Sequence, residues 1–299
     1  MPSPERIRTW SNLSRLRAGA VIVTLIAVAA IVTSASLADL VPGAPGADVP
    51  IKATSTPSPV TSASLDSKGA NKGVDRPVTV VGVGDSVTAG TNCSCASFVG
   101  LYAAKLASRR GLRTTSVNSG MGGWTSSALL ESLTRPGMFR DQVAKADILL
   151  VTIGANDLSP LESERFSGRG ATCYSSLVQR VGHNVELIVD AARAAKPDHP
   201  PTILVTGYWN VFKDGDVAKR SDSESFRHWS DTLTRAENTQ ICEGAERAGA
   251  TCVDIYTAFK GDGSKDPTLL LAEDGDHPDA AGHELIAATL LASTPEPIP

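Results

Sequence analysis

A short apolar, β-branched run stops at a Gly-Asp-Ser turn near residue 85, and this junction constrains the fold more than any other feature of the chain. Val78-Thr79-Val80-Val81-Gly82-Val83 has the composition of an inner strand of a parallel sheet, which is buried on both faces. Gly84-Asp85-Ser86 follows, then Gly90 and a helix-like stretch from Ser97 to Arg109. In open α/β sheets, ligands bind in the crevice beyond the carboxyl ends of the strands. A serine at such a turn presents its hydroxyl to that crevice, close to amide N–H groups able to stabilise an oxyanion. In isolation the triplet is a weak signal, because a serine after a strand also serves as a helix cap.

The rest of the C-terminal region repeats the strand–helix alternation. Strands are expected at Val78–Val83, Arg113–Asn118, Ile148–Ile153, Thr202–Thr206 and Thr251–Ile255. Helices are expected at Ser97–Arg109, from Ser126, and at Ser175–Ala195, Ser221–Ala248 and Asp279–Leu291. Such alternation means a parallel sheet covered by helices on both faces. The ends of the first three strands then bring Ser86, the loop Asn118–Thr125 and Asn156 to one edge. The chain contains no internal repeats.

Three further segments add chemistry in order: Asn118-Ser119-Gly120-Met121-Gly122-Gly123-Trp124-Thr125, Gly154-Ala155-Asn156-Asp157, and Asp274-Gly275-Asp276-His277-Pro278. A serine hydroxyl is a poor nucleophile without an adjacent base, and histidine is the side chain suited to proton transfer near neutrality. Of the five histidines, only His277 has a carboxylate three residues earlier and a proline directly after. Asp274 can reach back to the Nδ1–H of His277 and leave Nε2 for Ser86. Asp276 is the competing partner, although adjacent side chains usually diverge. The N–H groups of Ser86 and Gly123 and the amide of Asn156 would supply oxyanion donors, with glycine at 123 free to adopt positive φ. Each residue also has a structural reading: Gly122-Gly123 as a turn, Asn156-Asp157 as a cap or Asx-turn, Asp274 and His277 as surface residues.

These elements in this order resemble the SGNH hydrolases, also called the GDSL lipase/esterase family, over residues 77 to 293. The resemblance implies a flavodoxin-like three-layer α/β/α sandwich on a central, mostly parallel five-stranded sheet. It matches Ser86 to the nucleophile, Gly123 and Asn156 to the oxyanion residues, His277 to the base and Asp274 to the third member of the triad.

Other chemistries lack support. Gly82-Val83-Gly84 does not continue into a dinucleotide fingerprint, and a Gly-Lys-Ser/Thr phosphate loop and the α/β-hydrolase elbow pentapeptide are absent. His183, His199, His228 and His283 show no metal-ligand spacing, so neither metal nor organic cofactor is expected. The net charge is −4, and no basic stripe lies outside the N-terminus, which argues against nucleic acid as a partner.

The 299 residues divide into three parts. Residues 1–38 begin with Arg6, Arg8, Arg15 and Arg17 and continue with the uncharged run Ala18–Ala38. This reads as a secretory signal peptide, with Ser36-Leu37-Ala38 as a cleavage site, or as a membrane anchor; both put the C-terminal domain outside the cytoplasm. Residues 39–76 are rich in Pro, Ser, Thr and Ala and read as a disordered linker. Residues 77–299 are the catalytic domain, expected to be monomeric. Five cysteines in an exported domain suggest disulfides. Cys242 and Cys252 make a plausible local bridge. One of Cys93 or Cys95 is expected to pair with Cys173, leaving an odd thiol.

The expected activity is ester hydrolysis through an acyl-serine, on a small-molecule, glycan or lipid ester. Short acyl groups, acetyl among them, are favoured because no long hydrophobic lid is present. Trp124, Tyr208 and Trp209 are candidate walls of the substrate site, with a core role as the alternative. A long-chain lipase, an acyltransferase to a glycan, and a non-catalytic binding module are the rival functions.

Overall fold

A computed structural model of the chain describes residues 76–297. The expectations for the N-terminal apolar segment and the linker fall on residues outside this range, except for the linker's last residue, Arg76, whose guanidinium pairs with Asp147. No helix among the described residues is long and apolar enough to cross a membrane.

Five strands form one sheet in the order β2-β1-β3-β4-β5: β1 Val78–Gly84, β2 Thr114–Gly120, β3 Ile148–Thr152, β4 Thr202–Thr206 and β5 Thr251–Val253. Every neighbouring pair is parallel, so the expected mostly parallel sheet is wholly parallel. This is the flavodoxin-like order, whose topological switch point lies between β1 and β3. The burial follows from the residues. β3 is Ile-Leu-Leu-Val-Thr and buried throughout, and each such apolar side chain contributes roughly 1.5–3 kcal/mol by leaving water. β2 is Thr-Thr-Ser-Val-Asn-Ser-Gly and half-exposed, as an edge strand permits.

Helices Phe98–Arg110 and Ala280–Ala292 pack together, as do Ser175–Ala195 and Glu224–Arg247. Side-chain caps start the first two of these. Ser97 Oγ accepts from Val99 N–H at 3.2 Å, and Asp279 Oδ1 accepts from Gly282 N–H at 2.9 Å. The expected helix Ser221–Ala248 is found as Glu224–Arg247, preceded by a separate short helix Gly215–Ser221. Ser223 sets the start of the longer helix, its Oγ accepting from Phe226 N–H at 3.2 Å. The last strand ends before Ile255 because Asp254 caps the helix Ile255–Lys260. Short helices at Ser86–Ala89, Met138–Val143 and Ala155–Leu158 carry too few residues to show a period.

Candidate active site

The turn after β1 is shaped by close packing on β3. Gly84 has φ 137°, and a Cβ there would overlap the carbonyl oxygen of Thr152, so only glycine fits. Asp85 N–H then donates to that carbonyl at 3.0 Å. Asp85 is completely buried, and it is Asp85 rather than Ser86 that caps the next helix: its Oδ1 accepts from Val87 N–H at 3.0 Å. Thr152 Oγ1 donates to the same oxygen at 3.0 Å, and the Tyr208 hydroxyl donates to Oδ2. Burial pushes the Asp85 carboxyl up to about 6, against the opposing pull of these donors and of His277. Ser86, relieved of capping, stands half-buried at the start of helix Ser86–Ala89.

His277 sits in the loop before the last helix. Asp274 Oδ2 lies 2.6 Å from its Nδ1, whereas the nearest Asp276 oxygen is 3.9 Å away. Asp274 is therefore the partner, and the contact fixes Nδ1 as the protonated nitrogen and Nε2 as the free one. Burial would raise the Asp274 carboxyl. The N–H of Asp276, the imidazole, the Asn92 amide and the N–H of His277 outweigh it and hold the group at about 2. Asn92 gave no signal in the sequence beyond the tolerance of asparagine for a left-handed turn.

Ser86 and His277 line one cavity of about 60 Å³, together with Val87, Asn156, Ser159 and Val211. Asn156 stands in helix Ala155–Leu158 and donates one Nδ2 hydrogen to Trp124 carbonyl at 2.9 Å. Its neighbour Asp157 accepts from Ser126 N–H at 2.7 Å and from Ser126 Oγ at 2.8 Å. The two residues thus clamp the segment that directly follows Gly123. Gly123 has φ 81°, as a glycine position allows, but it does not itself line the cavity. Gly122 is nearer: a methyl group on it would lie 4.0 Å from Ser86 Cβ. Among the described residues, no hydrogen-bond partner takes up the N–H of Ser86 or of Gly123, which leaves both available to an oxyanion.

The three candidate substrate walls all pack on the hydrophobic core. Trp209 is 1% exposed and stacks on Phe259 with ring centroids 4.5 Å apart. Tyr208 is buried and engaged with Asp85. Trp124 packs on Phe139 at 5.1 Å. Tyr208 and Trp209 nonetheless line the cavity that Ser86 and His277 share, so both bound the site from the core side.

The cysteines also differ from expectation. Cys93 bonds to Cys95 within one loop, and Cys173 is free and exposed. Cys173 stands on the 3-10 turn Ala171–Tyr174 leading into helix Ser175–Ala195, while Cys93 and Cys95 already lie 5.1 Å apart between Cα atoms, within bonding range of each other. The Cys242–Cys252 bridge forms as expected. Cys93, Cys95 and buried His283 are close enough to share a metal ion, but the bonded sulfurs offer no thiolate. Burial pushes His283 down to about 4, and its Nδ1 accepts from Phe98 N–H at 3.3 Å, a structural role.

The sequence profile of the GDSL-like lipase/acylhydrolase family matches residues 83–285. No curated protein matches the sequence. Among solved structures, the chain is similar to the lipase Lip_vut3 from a goat rumen metagenome, with 20% identity, a TM-score of 0.60, and 72% of this chain and 97% of that chain covered. It is also similar to an extracellular lipase from Streptomyces rimosus, with 20% identity, a TM-score of 0.53, and 73% and 100% covered. At these identities the structural likeness concerns the fold. The profile match spans more than half the chain and takes in the turn at Ser86 and the loop at His277; the chain belongs to the GDSL-like lipase/acylhydrolase family and is a carboxylic ester hydrolase.

Proposed function

We propose that this ester hydrolase is an exported serine esterase that removes short acyl groups, acetyl foremost, through an acyl-serine on Ser86. The observation that carries the reading is the cavity of about 60 Å³ shared by Ser86 and His277, with Asp274 behind the imidazole. By the same measure a water occupies about 10–15 Å³. The cavity therefore has room for a handful of non-hydrogen atoms, which suits an acetyl group and not a fatty acyl chain. Val87, Ala155 and Val211 line it with the rings of Tyr208 and Trp209, and Ser159, Asn210 and Asp276 add polar groups. That lining suits an alcohol portion such as a glycan hydroxyl.

The mechanism follows from the groups in place. His277 Nε2 takes the Ser86 proton as Oγ attacks the ester carbonyl. The oxyanion is met by the N–H of Ser86, the N–H of Gly123 and the second Nδ2 hydrogen of Asn156, and Asp274 stabilises the imidazolium. His277 then gives its proton to the leaving alcohol. A water, deprotonated by His277, later releases the carboxylic acid and restores Ser86. Export is inferred from the basic, then apolar, N-terminal segment.

The test is hydrolysis of p-nitrophenyl esters from acetyl to palmitoyl, beside Ser86→Ala. Turnover that is fastest for acetyl and lost in the variant is the expected result. Fastest turnover of long chains would replace the esterase reading with a lipase. Acyl transfer to an added sugar at the expense of hydrolysis would make the protein a transferase.

A further inference from the structure

Asn92 contributes a side chain to the catalytic pair that the mechanism above does not use. It stands in the loop between helices Ser86–Ala89 and Phe98–Arg110 with φ 59°, a left-handed conformation that asparagine tolerates better than most residues. Its Nδ2 donates to Asp274 Oδ2 at 2.5 Å, across 182 residues of sequence. The same oxygen accepts from His277 Nδ1 at 2.6 Å. Oδ1 accepts from the N–H of Asp276 at 3.0 Å and from the N–H of His277 at 3.1 Å. A carboxylate has about four lone-pair sites, so every site on Asp274 is filled. The carboxylate cannot turn away from His277 without abandoning a donor.

Asn92 Nδ2 and His277 Nδ1 lie 3.5 Å apart. Both are donors toward Asp274, so they meet through the shared oxygen and not through each other. The loop is braced on the nucleophile side. Thr91 N–H donates to the Ser86 carbonyl at 3.0 Å and Cys93 N–H to the Gly90 carbonyl at 3.3 Å, and the Cys93–Cys95 bridge closes the turn directly after Asn92.

We propose that Asn92 is a positioning residue for ester hydrolysis: its amide holds the Asp274 carboxylate in the orientation that receives the His277 Nδ1 proton, on a loop fixed by the Cys93–Cys95 bridge. The proposal rests on the reading of Ser86, His277 and Asp274 as the catalytic groups. It carries an electrostatic consequence. A donor on Oδ2 draws off part of the charge that would otherwise stabilise the imidazolium. The other titratable groups acting on His277 are Asp274 and Asp276 in its own loop, Asp85 at the end of β1 and His283 on the last helix. Glu162 and Lys213 act on the neighbouring Asp276. Removing the Asn92 amide leaves that set intact and makes Asp274 a stronger partner for the imidazolium. The acid limb of activity then moves to higher pH.

The experiment compares wild type, Asn92→Gly and Asn92→Asp in kcat, KM, thermal midpoint and the pH profile of kcat/KM for p-nitrophenyl acetate. Glycine keeps the left-handed backbone and removes the amide; aspartate keeps the size and replaces the donor with a second anion. The expected result is a fall in kcat of about tenfold for glycine, the order of one positioned catalytic hydrogen bond, and a larger fall for aspartate. KM and the glycine variant's midpoint stay near wild type, and both acid limbs shift upward. Wild-type kcat in Asn92→Gly would overturn the proposal by showing that the turn alone suffices. A loss without movement of the acid limb would overturn it by showing a purely structural effect. Full activity in a Ser86→Ala control would instead overturn the underlying reading of the site.

Discussion

The hydroxyl of Tyr208 donates to the carboxyl of Asp85, a wholly buried group one residue before Ser86. This contact ties the loop after β4 to the turn after β1, so the residue that leads into the candidate nucleophile is held from two strands. Tyr208 therefore braces the turn at Ser86 from beneath and also lines the cavity that Ser86 and His277 share.

Tyr208→Phe removes one of the three donors to Asp85. Loss of a hydrogen bond to a buried charged group costs about 1–3 kcal/mol, and urea denaturation should show a loss of that size. The sign with pH is fixed by Asp85. Its carboxyl is raised from its ordinary value to about 6, so its contribution to stability is full at pH below about 4 and is lost as pH rises through about 6. The variant raises the carboxyl further, and its deficit should therefore be larger at pH 8 than at pH 5.

Glu237 supplies a second test of the buried acids. Its carboxyl oxygens are buried without a hydrogen-bond partner among the described residues. Burial, then the charges of Asp157 and Asp85, push it well above its ordinary value. A carboxyl raised on folding favours the native state at low pH and disfavours it as pH rises toward the folded value. Glu237→Leu should raise stability at pH 8 by about 1–3 kcal/mol, with the advantage shrinking toward pH 4. An equal gain at both pH values would contradict the assignment.

The readable parts of the site were those encoded over a few residues. Asp274 and His277 are three positions apart, and the distance of 2.6 Å between their side chains follows from one turn of loop. Ser86 and Asn156 follow apolar runs whose ends the sequence marks with Gly84 and Gly154, and the order of the strands needs only right-handed crossovers. Asn92 and Tyr208 were not readable in this way. Each acts on a partner more than a hundred residues distant, and no local period encodes such a pair. The cysteine pairing failed for the opposite reason. Proximity of loops at one sheet edge suggested a long-range bridge, while the bond forms across two residues.

Asn156→Ala should lower kcat by about 10²–10³ with little change in KM, the usual cost of one oxyanion donor. The same change frees the Trp124 carbonyl that Asn156 now binds at 2.9 Å, so the segment that directly follows Gly123 loses one of its two clamps. Steady-state kinetics with p-nitrophenyl acetate reads the effect. A change confined to KM would remove Asn156 from the oxyanion site.

Val211→Ala should widen the cavity and improve butyryl turnover relative to acetyl by about tenfold, since a methylene in an apolar pocket is worth about 10–200-fold in selectivity. The ratio of kcat/KM for the two p-nitrophenyl esters measures it. An unchanged ratio would place the acyl group elsewhere.

The most direct test of the account is covalent trapping. The purified protein is treated with a fluorophosphonate, digested, and the modified peptide sequenced by mass spectrometry, beside His277→Ala. One adduct is expected, on Ser86, formed at least a hundred times more slowly in the variant, the scale of general-base assistance at about 10²–10⁴-fold. An adduct on another serine, or undiminished ester hydrolysis after Ser86 is fully modified, would contradict it.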